Sequence, residues 1–162
     1  MSVTASIVMN ATVVETLTTN ADSLSGGDTD ITHKAFNFNS TIKSDSLVPA
    51  TKVSAQVVAL STGAKTLDLT ALTGANGGTV DATGLKLQVW KVKNLGAADM
   101  TFTFGAANPY NALGSAFLFV LKQNQQAMFF LNDSSPDVGS GAKTIDVSGT
   151  GSQTFQNLMI FG

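Results

Sequence analysis

The chain has 162 residues, a mass of 16.7 kDa and a formal net charge of −2. That is one ordinary domain's worth of protein, with charged residues at only 12% against the usual quarter. All nine cations are Lys, ten of the eleven anions are Asp and the other is Glu15. With no Arg and a weakly acidic balance, no electropositive footprint for a nucleic acid is present. No apolar run approaches the roughly 18 residues of a membrane-spanning helix. The absence of Cys removes thiol catalysis, zinc-finger chemistry and disulfide scaffolds together. The start, Met1-Ser2-Val3-Thr4-Ala5, has neither a charged n-region nor an apolar h-region, so no signal peptide is expected.

In chain order, residues 3–19 mix β-branched and polar side chains and predict one long strand or two short ones. Residues 20–30, rich in Gly, Asp and Ser, read as a loop. This loop sets residues 1–30 apart as either an N-terminal arm or a plain first strand with its loop. Residues 31–162 are then a β-sandwich body, one domain overall.

Phe36 and Phe38 alternate with Asn; Val53, Ala55, Val57 and Ala59 alternate with Ser54 and Gln56; Leu67 and Leu69 flank Asp68. Leu85, Leu87 and Val89 alternate with Lys86 and Gln88, and then the phase shifts through Trp90 and Val92. Such a shift predicts a bulge or a strand that crosses between sheets. Phe102 and Phe104, Ile145 and Val147, and the run from Phe155 to Phe161 complete about eight strands. No 12-residue window carries a helical stripe. The expected fold is all-β: an antiparallel, jelly-roll-like β-sandwich.

Two runs do not alternate. Residues 116–121 and 127–131 are apolar on both faces and are joined by Lys122-Gln123-Asn124-Gln125-Gln126. They are either the central hairpin of a two-layer core or a hairpin with one face covered by another subunit. One segment also recurs. Gly63-Ala64-Lys65-Thr66-Leu67-Asp68-Leu69-Thr70 is echoed by Gly141-Ala142-Lys143-Thr144-Ile145-Asp146-Val147-Ser148, which predicts a sandwich of two related halves. Asp68 and Asp146, facing away from the apolar set, read as solvent-facing charges that keep these strands from pairing with foreign edges.

Chemistry is sparse. Nucleophilic catalysis needs a base to activate a hydroxyl, and the one His, His33, stands at a loop-to-strand boundary without a G-x-S-x-G elbow. The Gly-Ala-Lys-Thr tetrads lack the glycine that precedes Lys in a phosphate loop and open strands rather than helices. Residues 28–30 and 133–137 hold Asp-rich turns with oxygen ligands of the calcium type, more often solvated caps. Trp90 and Tyr110 are the candidates for stacking a sugar ring. No catalysis, cofactor, metal or small-molecule substrate is expected.

Leu67-Asp68-Leu69-Thr70, Gly96-Ala97-Ala98-Asp99, Phe104-Gly105-Ala106-Ala107-Asn108-Pro109-Tyr110 and Asn132-Asp133-Ser134-Ser135-Pro136-Asp137 resemble small virion proteins of tailed bacteriophages. In particular they are similar to capsid decoration, or cement, proteins. The likeness covers the C-terminal two-thirds and is one of general character, with Thr/Ala/Gly-rich strands, no Cys and few charges. It implies a jelly-roll or sandwich body, homotrimers on the outer capsid surface where capsomers meet, the major capsid protein as partner, and no catalysis. It transfers no functional residue. The candidate contact residues are therefore apolar side chains of the N-terminal segment, Ile7, Val8 and Val13, and of the two-faced runs, Phe117, Phe119 and Phe129. The alternative is a receptor- or glycan-binding β-sandwich module of a fibre or tail, with a tail-tube or neck component as a third option.

Overall fold

The structure, a computed structural model, describes residues 3–17, 29–32 and 36–162. The chain forms two compact units, Ala5–Ile42 and a body built on Lys43–Gly162. The boundary lies beyond the loop-like stretch 20–30, of which residues 20–28 are outside the described residues while Thr29 and Asp30 are strand rather than loop.

The N-terminal unit holds β1 (Thr4–Ala11), β2 (Val14–Leu17), β3 (Thr29–Thr32) and β4 (Phe36–Lys43). Within the described residues 3–17 there are two strands, broken at Thr12-Val13. β1 pairs with β4 and β2 pairs antiparallel with β3. Ile7 and Ile42 are buried, whereas Val8, Val13 and Val14 are each more than half exposed.

The body's main strands are β5 (Lys52–Ala59), β6 (Ala64–Asp68), β9 (Leu87–Asn94), β10 (Met100–Phe104), β11 (Leu118–Leu121), β12 (Gln126–Phe130), β13 (Thr144–Ser148) and β14 (Thr154–Phe161). A two-residue hairpin, β7 (Leu72–Thr73) with β8 (Thr79–Val80), is inserted between β6 and β9. Sheet I has the order β12-β9-β14-β5 and sheet II the order β11-β10-β13-β6. All pairings within them are antiparallel. Apart from β10 and β11, each strand along the chain lies in the opposite sheet from the one before it. This is the eight-stranded, double Greek-key order of a jelly roll. No helix occurs among the described residues.

The period-2 pattern explains each layer, because successive side chains of a strand point to opposite faces. Phe155, Met159 and Phe161 of β14, Trp90 and Val92 of β9, Phe102 of β10 and Ile145 and Val147 of β13 enter one core. Trp90 sits at its centre. Its ring meets Phe102, Phe117 and Phe119 edge-on at 5.4 to 6.1 Å between centroids and Phe129 at a tilt, 5.9 Å away. Edge-on packing at this range is the favoured arrangement of aromatic quadrupoles. The indole N–H donates to Asn157 Oδ1 at 3.0 Å.

The phase shift in β9 is a bulge. Ile160 faces Val89 while Phe161 faces Leu87, so Gln88 is the extra residue. It turns Leu87 and Trp90 inward on the same strand. The two echoed segments are strand partners. β6 and β13 run antiparallel with Leu67 opposite Ile145, Thr66 opposite Asp146 and Asp68 opposite Thr144, so the two copies of the echo face one another, centred on the equivalent Leu67 and Ile145.

The two-faced apolar runs form neither of the expected hairpins. β11 is an edge of sheet II and β12 an edge of sheet I, so the 122–126 link crosses the sandwich. Both strands lend inward aromatics to the one core, Phe119 and Phe129, whose rings lie 5.2 Å apart.

Candidate interaction surfaces

Two loops that carry the sequence resemblance meet in the body. After β10 the chain folds over β13: Gly105 N–H and Tyr110 N–H both donate to Thr144 O at 2.9 Å. Thr144 Oγ1 donates to the carbonyls of Ala107 and Asn108. Gly105 is required here, since a Cβ would run into the Thr144 side chain and lie 2.8 Å from its carbonyl oxygen. The fold-over drives Tyr110 fully inside. Its hydroxyl accepts from Leu87 N–H at 3.0 Å and donates to Pro136 O at 2.7 Å. Burial pushes the phenol above its ordinary value.

The 132–137 loop is tied to the β9 bulge by the same knot. Gln88 donates to Asp133 Oδ1 at 3.1 Å and accepts from Asp133 N–H at 2.8 Å, while Ser135 Oγ donates to Leu87 O at 2.7 Å. The Gln88 amide and Lys86 hold the Asp133 carboxyl below its ordinary value. These loops are thereby committed to architecture. Trp90 and Tyr110 are wholly buried, so neither presents a ring face to a sugar. Asp133 is engaged with Gln88 and Lys86. Asp28 and His33 lie outside the described residues. Among the described residues no group of three His, Cys, Asp or Glu is placed to hold a metal ion.

Asp68 and Asp146 do more than face solvent. Both are half-buried, and β13 is an interior strand with no free edge to guard. Asp146 accepts from Thr66 Oγ1 at 2.6 Å and Ala106 N–H at 2.8 Å. Asp68 accepts from Thr70 and from Lys143 Nζ at 2.8 Å. Burial pushes the Asp68 carboxyl up, but the bonds from Lys143 and Thr70 more than offset this and leave it lowered.

Among the described residues, the large apolar side chains left open to meet another molecule include Val8, Val13 and Val14 of the N-terminal unit and Val57, Leu118 and Val120 on the outer faces of the two sheets. Pairing register sorts the outward side chains of sheet I into three rows. Row one is Gln126, Lys93, Gln156 and Val57; row two is Met128, Lys91, Leu158 and Ala55; row three is Phe130, Val89, Ile160 and Val53. In row three Val89 is 1% and Ile160 5% exposed, whereas Val57 of row one is 61% exposed. Rows one and two border a shallow hollow of about 490 Å³. The outside of sheet II differs. Its inner strands and β6 present Thr66, Thr101, Thr103, Ser148, the two aspartates and the small Ala64, and the edge strand β11 adds large apolar side chains, Leu118 at 64% and Val120 at 44% exposure.

The contact residues expected from the sequence fall into two groups. Val8 and Val13 are exposed; Ile7 and Phe117 are buried, and Phe119 and Phe129 pack against the core. The exposed apolar positions of these runs are instead Leu118 and Val120, one step out of phase. Sheet I's outer face is not legible in the sequence, because Val57, Lys91 and Leu158 are adjacent only through pairing across three strands.

The class these elements define is an eight-stranded antiparallel jelly roll with a separate β-rich N-terminal unit. Comparison with known proteins finds no matching family model, no matching curated protein and no matching solved structure.

Proposed function

We propose that the chain is a structural, non-catalytic protein of a virus particle: a capsid decoration protein that binds the outer surface of a phage head and bridges neighbouring capsid subunits. The observation that carries this reading is a body with a complete core of its own beside large apolar side chains left open on the N-terminal unit, Val8, Val13 and Val14, and on the outer sheets. Where such side chains join into a contiguous patch, they favour protein–protein contact. The resemblance of four sequence segments to decoration proteins sets the kind of contact, and the jelly roll is an architecture shared with viral capsid domains. Because fold alone does not imply function, the surfaces bear the weight. The partners are the major capsid protein and further copies of the chain, as a homotrimer. Binding only the assembled shell stabilises it by mass action.

The test is attachment to particles. An antibody raised against the purified chain should label the heads of intact virions, and light scattering should give three times the 16.7 kDa chain mass. Removing residues 1–19 should weaken attachment. Labelling confined to tails, or none, would overturn the reading.

A further inference from the structure

We propose that rows one and two of the sheet I outer face are the seat of a carboxylate-bearing protein surface on the particle shell. This rests on the decoration reading and names the chemistry of its partner. Lys91 and Lys93 point outward from β9, two residues apart on one strand, hence about 6.8 Å apart. Among the described residues neither ammonium forms an ion pair. None of the outward residues of the three rows is Asp or Glu, so within these rows the two positive charges have no counter-charge. Around them lie Val57, Ala55 and Leu158, an apolar floor along which the lysine stems extend while their heads reach outward.

The pattern selects its occupant. A second copy that met this face across a two-fold axis would set lysines against lysines, and like charges at an interface are strongly disfavoured. An acidic surface with apolar neighbours satisfies both halves of the site. Carboxylates at alternate positions of an extended segment repeat at the spacing of the two lysines. Four strands about 4.8 Å apart make a narrow seat, well below the area of a standard stable interface. Firm attachment therefore needs several seats engaged together, as a trimer on a symmetric shell would provide.

The experiment is rebinding of the full-length, fluorescently labelled chain to purified particles stripped of it, followed by co-sedimentation at rising NaCl. Lys91→Glu/Lys93→Glu is compared with wild type and with the control Lys65→Glu/Lys122→Glu, two exposed lysines elsewhere on the body. The double reversal should weaken binding at least tenfold and flatten its salt dependence, with the control unchanged. Val57→Asp should also weaken binding. Lys91→Gln/Lys93→Gln replaces the reversal if circular dichroism finds that variant unfolded. Wild-type binding undiminished in the Lys91/Lys93 variants would overturn this inference and leave decoration standing. Wild type that fails to sediment with particles would overturn both. Self-association lost in the variants while particle binding persists would make this face a contact between copies and would overturn the acidic-shell assignment.

Discussion

The two sheets of the body are alike inside and unlike outside. Each contributes aromatics to one core, Trp90, Phe129 and Phe155 from sheet I and Phe102 and Phe119 from sheet II. Outside, sheet II is faced mainly with hydroxyls and carboxylates, as expected of a sandwich layer against water. Sheet I carries Val57, Leu158 and Met128 around two lysines that form no ion pair among the described residues. The cluster around Trp90 is closed by the inner faces. On the outer face of sheet I, row three is itself buried at Val89 and Ile160, while Val57 of row one stays open; that open part is the one we assign to recognition.

Mutation can break this comparison at the core first. Trp90→Ala removes the ring that both sheets share and should cost about 3–5 kcal/mol, with both sheets unfolding in one transition by circular dichroism in urea. Loss confined to one sheet would mean the inner faces are not equivalent. Tyr110→Phe keeps the ring but strands Leu87 N–H and Pro136 O, at about 1–3 kcal/mol. Because burial raises the Tyr110 phenol, the folded protein holds that proton more tightly than the unfolded chain. Stability should be intact below pH 10 and fall as pH rises from there toward the folded value, and Tyr110→Phe should abolish this part of the alkaline slope.

The acid side tests the outside of sheet II. The Asp68 carboxyl is lowered in the folded state, so its contribution is complete above the ordinary value of 3.8 and is lost as pH falls through the folded value. Asp68→Asn should flatten that slope in acid titrations, at a cost under about 1 kcal/mol for a part-exposed pair. The smallest effect belongs to the outside of sheet I. Val57→Thr should change unfolding free energy by no more than about 0.5 kcal/mol yet lower attachment to particles. A large loss of stability there would return the face to a folding role.

The candidate surface is only partly readable from the sequence. Val8 and Val13 are exposed but Ile7, equally β-branched and next to Val8, is buried, because the pleat turns neighbouring side chains to opposite faces. Phe117, Phe119 and Phe129 are as suitable as their neighbours by pattern, because an unbroken apolar run does not reveal which phase of the pleat turns inward. Leu118 and Val120 took the outward phase once Phe119 paired opposite Phe102.

Alternation marked β5, β9, β10, β13 and much of β14, since the two faces of a strand are set by a local period of two, but not β3, the β7–β8 hairpin, or the non-alternating runs that became β11 and β12. A phase shift at Trp90 pointed to either a bulge or a crossing strand, and the structure makes it a bulge; repetition, not alternation, marked the related segments that became β6 and β13. Partnership was decided only in three dimensions. That β11 and β12 enter opposite sheets, that Tyr110 is drawn inside by a loop folding over Thr144, and that Lys91 stands beside Leu158 all depend on contacts between residues far apart in the chain. Such contacts are specified by the packing of the whole core around Trp90, and no local pattern encodes them.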